Sequence, residues 1–409
     1  MRKNAVVVGG GIAGLWTAWE LAKLGLSSVI VETAPFLGGH VAQFSCKATE
    51  TCQRCGACAL EDVLQKLNSM EMVSSLVRTS ISRMEQTDSG FAVSAHQRPS
   101  RIVPERCTDC GDCIQACPQP GALTRSPFTR QLAIDETICR HYTEGSCQAC
   151  IEACPEAAID LPAQAEEISL ESDAVVIATG FQPFDARHKP RFGYGTVPGV
   201  VTALELDKML RENAWAPGEG MRSVAFIQCV GSRDPRIGRN YCSRVCCGYA
   251  MRLARLLKSR VPELEPTMFY MDIQTFDRDF TQRLAEAARE VRLVRSMPAE
   301  IRRGSDGRPE IVYHGPEDRR LFESFDLVVL SIGIAPGAME LFGDSLGVGL
   351  NADGFLGPDG EDVSTAREGV FVAGTAQGPR SIQDTVSHAI RAAQGTFRFV
   401  KGIKSGEGN

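Results

Sequence analysis

The chain has 409 residues, 43% of them hydrophobic, and a formal net charge of -6, which is the balance of an ordinary packed protein of two or three domains. It has no basic arm to point to nucleic acid or an anionic membrane surface, and no apolar run of about eighteen residues. Sixteen cysteines are the outlying feature: 46, 52, 55, 58; 107, 110, 113, 117; 139, 147, 150, 154; and 229, 242, 246, 247. Disulfide scaffolds are short and exported, whereas this chain is long, shows no export-type cleavage site and groups its cysteines in CxxC clusters, so metal is favoured. The expected location is the cytoplasm, with any peripheral contact with the inner membrane made through partner subunits.

Residues 4 to 33 read as strand, glycine turn, helix and strand, one βαβ unit. Gly9, Gly11 and Gly14 form G-x-G-x-x-G, with Ile12 and Ala13 opening the helix and Glu32 closing the next strand. The first glycine permits a tight turn, the second lets backbone approach a pyrophosphate, and the third brings helix close to strand. Glu32 stands where it can accept hydrogen bonds from a ribose. FAD and NAD share this fingerprint, so both stay open at this point.

FLGGH follows, with Gly38, Gly39 and His40, and then CKATETCQRCGAC, with Cys46, Cys52, Cys55 and Cys58. Thiolates this close repel one another unless a cation shares them or they stay protonated. A [4Fe–4S] cluster is expected, with a zinc knuckle or a redox-active pair as alternatives. His40 is read as a flavin contact, a ligand or a hydrogen-bonded structural residue. EDVLQKLNSME has helical texture, and SLVRTSISRMEQTDSGFAVSA alternates like two strands around a DSG turn.

From Arg101 to about Ala163 the texture changes to dense cysteine and proline, typical of a small module held by cofactors. CTDCGDCIQACP is C-x2-C-x2-C-x3-C-P, and its companion runs Cys139-x7-Cys147-x2-Cys150-x3-Cys154-Pro155. These runs resemble bacterial ferredoxins, and that resemblance implies one [4Fe–4S] cluster on Cys107, Cys110, Cys113 and Cys154 and another on Cys139, Cys147, Cys150 and Cys117. A zinc module is the alternative.

SDAVVIATGFQP resumes as a buried strand through Ala178, Thr179 and Gly180. RSVAFIQC, a helix through YAMRLARLLKSR, and TMFYMDIQT suggest a second βαβ unit. Where its glycine loop is expected stands QCVGSRDPRIGRNYCSRVCCGYA, with Gly231 the only glycine near the strand end, so a pyrophosphate lacks its cradle. Cys229, Cys242, Cys246 and Cys247 occupy the place instead, as ligands of one cluster or as inert buried thiols. FDLVVLSIGIAPG reads as another strand, and GVFVAGTAQGPRSIQDTVSHAIRAAQGTFRFV as strand, glycine loop and an amphipathic helix capped near Ser381.

The N-terminal motif, ATG at 178–180 and GVFVAGT at 369–375 resemble the two-dinucleotide-binding-domain flavoproteins, which selects FAD. In that family an aspartate usually follows the late glycine; here Thr375 follows Gly374, leaving a hydroxyl for the phosphate or ribityl oxygens. The helix at Ser381 would then aim its positive end at the flavin pyrimidine ring. VVVGGGIAGLWTAWELA, FLGGHVAQ, the ferredoxin module, CVGSRD with YCSRVCC, and FVAGTAQGP together resemble the heterodisulfide reductase A subunits and their relatives. That resemblance implies a [4Fe–4S] cluster on Cys229, Cys242, Cys246 and Cys247 near FAD. With TCQRCGAC added, the chain is similar to the A subunits of the quinone-interacting membrane-bound oxidoreductases (Qmo) of sulfate reducers.

The expected fold is α/β: a Rossmann-like, thioredoxin-reductase-like flavoprotein with an inserted two-cluster ferredoxin module. Residues 1–100, 164–200 and 325–409 are expected to form the FAD-binding domain, 101–163 the module and 201–324 a degenerate second nucleotide-binding domain carrying a cluster. The implied function is an iron–sulfur flavoprotein oxidoreductase subunit working within a complex. Its partners would be a second flavoprotein subunit, a membrane quinone-reactive subunit and, further on, adenylylsulfate reductase. No catalytic residue is assigned beyond the flavin. Alternatives are a heterodisulfide reductase-type A subunit serving another disulfide or sulfur substrate, and an NAD(P)H-dependent iron–sulfur reductase.

Overall fold

The computed structural model describes residues 2–403 except 130, 219, 275, 277–279, 338–341, 344–345 and 358–361. Strand β1 (Arg2–Val8) is apolar at successive positions from Ala5 onward, as a strand covered on both faces must be. Helix α1 (Ile12–Lys23) follows, and β2 (Ser28–Val31) returns parallel to β1. After helix α2 (Ala59–Leu67) come β3 (Val73–Leu76), parallel to β2, and the antiparallel pair β4 (Thr79–Thr87) and β5 (Gly90–Gln97). The expected DSG turn ends at Gly90, whose φ of 129° belongs to the region that favours glycine.

The cysteine-rich segment is inserted between β5 and the long strand β8 (Glu166–Ile177). It contains helices α3 (Asp112–Ala116), α4 (Arg140–Glu144) and α5 (Ala149–Glu152) and the hairpin of β6 (Leu123–Arg125) and β7 (Leu132–Ile134). Its buried core is Ile102, Leu123 and Leu132 with Cys113 and Cys150, too little apolar surface to hold the segment by itself. An Ile102–Ile159 bridge closes its two ends.

Strand β8 (Glu166–Ile177) starts before the expected Ser172 because its first half pairs antiparallel with β5. Its second half runs parallel to β1. The chain then crosses through β9 (Gln182–Pro183) into a second sheet: β10 (Val200–Thr202), helix α6 (Ala203–Arg211), β11 (Ser223–Val230), helix α7 (Cys246–Arg260), β12 (Glu265–Phe269), helix α8 (Phe280–Ala287) and β13 (Arg292–Val294). Helix α6 opens with a capping box, the Thr202 hydroxyl accepting from Glu205 N while Glu205 accepts from Thr202 N. An antiparallel meander, β14 (Glu300–Arg303), β15 (Pro309–His314) and β16 (Arg320–Ser324), precedes β17 (Leu327–Ile332).

Strand β17 inserts between β10 and β11, giving the all-parallel order β10-β17-β11-β12-β13. This corrects the expected return to the first domain at residue 325. An apolar strand ending in glycine reads the same in either sheet, and the chain crosses back only at β18 (Ile334–Ala335), antiparallel to β9. Strand β19 (Val370–Val372) then joins β8 in parallel, completing the order β3-β2-β1-β8-β5-β4 with β19 also on β8. Helix α9 (Ile382–Val400) packs against α1, its buried face rich in alanine where the two approach. Both sheets are of the Rossmann-like α/β kind expected, the first with β4 and β5 antiparallel.

Candidate functional site

A cleft of about 1280 Å³ opens where β1, β8 and β19 end, and extends to the start of α7 in the second domain. The glycines divide its work. A Cβ at Gly14 would run into the Gly9 carbonyl oxygen, and one at Gly9 into that of Ala178, so both are bare to let helix and strands touch. At Gly11 the nearest atom to such a Cβ is Gly39 Cα, at 3.9 Å, so space lies open before the backbone at the N-terminus of α1. The first turn of α1 contains no acidic residue to oppose an anion there. Glu32 is fixed at the rim: Oε2 accepts from Gly10 N at 2.6 Å and Oε1 from Ala34 N at 2.7 Å.

Of the expected contacts, Gly9, Gly11, Ile12, Ala13, Glu32, Gly39, His40, Ala178, Thr179, Gly180, Thr375 and Ser381 line this cleft. Gly14, Gly38 and Gly374 stand behind it; a Cβ at Gly374 would lie 2.6 Å from that of Ala13. His40 lies against the Phe181 ring at 4.4 Å, and its Nε2 donates to the Phe181 carbonyl at 3.0 Å. Ser381 caps α9 by accepting from Asp384 N at 3.1 Å, so the helix N-terminus opens on the cleft. Sequence reasoning missed Arg380, which is buried beside it. The guanidinium donates to Gly374 O and to Gln377 Oε1, bracing the glycine turn with a fixed positive charge on the cleft wall. A lone arginine before a helix cap offers no signal of that role.

In the inserted segment the cysteines fall into two pockets. One is bounded by Cys107, Cys110, Cys113 and Cys154, the other by Cys117, Cys139, Cys147 and Cys150. Burial pushes the Cys113 thiol up, with Cys110, Cys154 and Cys107 adding to it; Cys150 is pushed to about 11 by burial and then by Cys139. The crosswise sharing expected from the paired C-x3-C-P endings is therefore the grouping in space. Among the described residues no three His, Cys, Asp or Glu side chains converge to hold a single ion. In each set four thiols bound one small space, a donor set that suits an iron–sulfur cluster.

The fourth group is built on an irregular strand end. Pairing of β11 with β17 shifts register between Ile227 and Val230, and Cys229, Gly231 and Arg233 take φ values of 57°, 84° and 53°. Left-handed backbone at two non-glycine residues costs of order 1 kcal/mol or more each and persists only where surroundings impose it. A Cβ at Gly231 would run into the Phe184 ring, so the glycine nearest the strand end is closed by an aromatic side chain. Helix α7 begins at Cys246, earlier than the periodicity from Tyr249 suggests, and holds Cys246 and Cys247 in its first turn. Burial pushes Cys229 to about 12 and also raises Cys246 and Cys247, with the neighbouring cysteines adding to each. Such thiols stay protonated unless a cation shares them, and Cys246 itself lines the dinucleotide cleft.

Cys46 and Cys55 also line the cleft; Cys46, Cys52 and Cys58 are exposed and Cys55 is half-buried. Beside them Lys47 is buried, its ammonium on Asp207 at 2.5 Å and on Ser45 O at 2.8 Å, with Tyr249 donating to the same carboxylate at 2.6 Å. Burial pulls Lys47 below the ordinary lysine range, and Asp207, Cys55 and Cys46 oppose that pull. Sequence reasoning misses this network too, because its members lie far apart in the chain.

Two dinucleotide-type domains facing one cleft, lined with thiols, define a redox flavoprotein of the two-domain class. The model of the NAD(P)-binding Rossmann-like domain matches residues 7–70, and that of the pyridine nucleotide-disulphide oxidoreductases matches 142–394. The chain belongs to the pyridine nucleotide-disulphide oxidoreductase family. It is 33% identical to the A subunit of the H(2):CoB-CoM heterodisulfide,ferredoxin reductase of Methanothermobacter thermautotrophicus, over 98% of this chain and 64% of that one. It is also 33% identical to the iron-sulfur A subunit of the CoB–CoM heterodisulfide reductase of Methanocaldococcus jannaschii, over 97% and 65%. The chain thus spans just under two thirds of these relatives. The fold is similar to T. acidophilum thioredoxin reductase, with a TM-score of 0.56 at 14% identity over 98% of this chain and 99% of that one.

Proposed function

We propose that the chain is the FAD- and [4Fe–4S]-carrying electron-transfer subunit of a heterodisulfide-reductase-like complex. In it, electrons move between a membrane quinone pool, reached through partner subunits, and adenylylsulfate reductase in dissimilatory sulfur metabolism, with flavin-based bifurcation or confurcation as a further capacity. FAD is assigned to the cleft of Gly11, Glu32, Ala178–Gly180, Thr375 and Ser381. Clusters are assigned to the two pockets of the inserted segment and to Cys229, Cys242, Cys246 and Cys247, and a fourth to Cys46, Cys52, Cys55 and Cys58. When bound, FAD exchanges electrons in pairs or singly and each cluster takes one, so together they split or merge electron pairs.

The carrying observation is the pairing of Cys246 on the cleft wall with Gly231 closed by Phe184. On this reading the thiols stand where a reductase would admit nicotinamide. Its own residues then have plain tasks. The bare backbone at Gly11 admits the pyrophosphate, Glu32 meets the ribose, and Arg380 and the α9 N-terminus present positive charge to the flavin. Support for the quinone and adenylylsulfate ends is the sequence resemblance at TCQRCGAC. The similarity to the methanogen heterodisulfide reductases favours a second reading, an A-type subunit serving a heterodisulfide or another sulfur substrate. Peripheral attachment by way of a membrane partner is part of the proposal; among the described residues no helix is long and apolar enough to cross a membrane.

Anaerobic stopped-flow mixing with NADH or NADPH tests the assignment. Neither is expected to bleach the flavin, whereas rapid bleaching by either would establish an NAD(P)H-dependent reductase instead. Reduced complex is expected to reoxidise on mixing with adenylylsulfate reductase and not with a heterodisulfide; the reverse order of rates would favour the second reading.

A further inference from the structure

Arg233 lies in the left-handed turn after β11, and its amide donates to Tyr241 O at 3.0 Å. With the Asp234–Arg239 bridge, this closes a small hairpin that folds the Cys229 turn back beside Cys242. The side chain is clamped as well. Nη1 and Nη2 take the two oxygens of Asp272 as a fork, the second at 3.0 Å, and Gln274 Nε2 holds Asp272 Oδ1 at 2.9 Å. A two-point fork fixes the plane of a guanidinium as well as its position. So held, Arg233 stands close enough to Cys229, Cys242 and Cys247 for its positive charge to act on each.

We propose that Arg233 is a positioning residue that raises the reduction potential of a cluster held by Cys229, Cys242, Cys246 and Cys247, with Asp272 and Gln274 fixing its guanidinium. The proposal rests on the assignment of a cluster to those four cysteines. Reduction adds one electron and makes or breaks no bond, so the cluster and its thiolates become more negative by one charge. A fixed cation beside the ligand sulfurs stabilises that form more than the oxidised one. The Asp272 carboxylate opposes this at Cys247, whereas Arg233 acts on Cys229 and Cys242 as well.

The test is a dithionite redox titration of the anaerobically purified chain followed by electron paramagnetic resonance, on the parent, Arg233→Gln, Arg233→Lys and Cys246→Ser proteins. The signal lost in Cys246→Ser identifies the cluster. Arg233→Gln is expected to keep its iron and to lower that midpoint by roughly 59 mV, a tenfold change for one electron. Arg233→Lys keeps the charge without the fork and should fall less. An unchanged midpoint in Arg233→Gln at full iron content overturns the proposal, as does loss of the cluster in both Arg233 variants, which would make the residue structural. Undiminished iron in Cys246→Ser would overturn the cluster assignment beneath it.

Discussion

Lys47 and Asp207, 160 residues apart, form an ion pair of 2.5 Å with side chains 1% and 0% exposed. The pair joins the first cysteine loop to helix α6, and Tyr249 of α7 completes it, so three segments around the cleft share one carboxylate. Ser45 adds two more hydrogen bonds to Asp207, at 2.9 and 2.6 Å. Removing one partner of such a pair strands a charge in a dry interior.

Lys47→Met is therefore expected to destabilise the chain by about 3–5 kcal/mol. The double variant Lys47→Met, Asp207→Leu should lose less than the sum of the two singles, because it leaves no unpaired charge. Denaturant unfolding of the four proteins of the cycle measures this coupling. Additive losses would mean that the pair does not bind the loop to the second domain.

The two glycines of the first turn should separate stability from cofactor binding. Gly11→Ala adds a methyl group into open space, so stability should change by no more than about 0.5 kcal/mol. The same methyl group fills the phosphate approach, and FAD affinity should drop at least tenfold, about 1.4 kcal/mol. Gly14→Ala pushes into the Gly9 carbonyl and should cost about 1–3 kcal/mol of stability together with the flavin. Flavin-to-protein ratio and unfolding midpoint, read on both variants, check the contrast.

In the inserted segment, Cys154 lies with Cys107, Cys110 and Cys113, far from it in sequence. Cys154→Ser should accordingly alter the spectroscopic signal of the cluster shared with those three, and Cys117→Ser that of the other set. Electron paramagnetic resonance of each variant reduced by dithionite distinguishes the two. If Cys154→Ser and Cys150→Ser disturb the same signal alone, the crosswise assignment fails.

Much of the fold is legible in local patterns. The run from Ala5 to Val8, the glycine spacing and Glu32 dictate β1, α1 and the cleft rim within one short segment, and the Ser381 cap is likewise local. The C-x3-C-P endings encode crosswise sharing because the fourth cysteine cannot turn back on its own cube. What sequence does not display is pairing across distance. Nothing near Lys47 names Asp207, and nothing near Gly231 names Phe184. The start of α7 is hidden because cysteine and Gly248 are weak helix formers, so its first turn forms where burial rather than propensity decides. For the same reason β17 can be read as a strand but not assigned to its sheet.

Iron and acid-labile sulfide, counted against FAD in the anaerobically purified chain, bear most directly on the proposal that thiols of the second domain hold a cluster beside the flavin. Four occupied cysteine groups correspond to about sixteen iron atoms per FAD, and three, without the Cys46 group, to about twelve. Either value agrees with a cluster at Cys229, Cys242, Cys246 and Cys247, provided that Cys246→Ser lowers it by about four. About eight iron atoms per FAD, unchanged in Cys246→Ser, would confine the clusters to the inserted segment and contradict it.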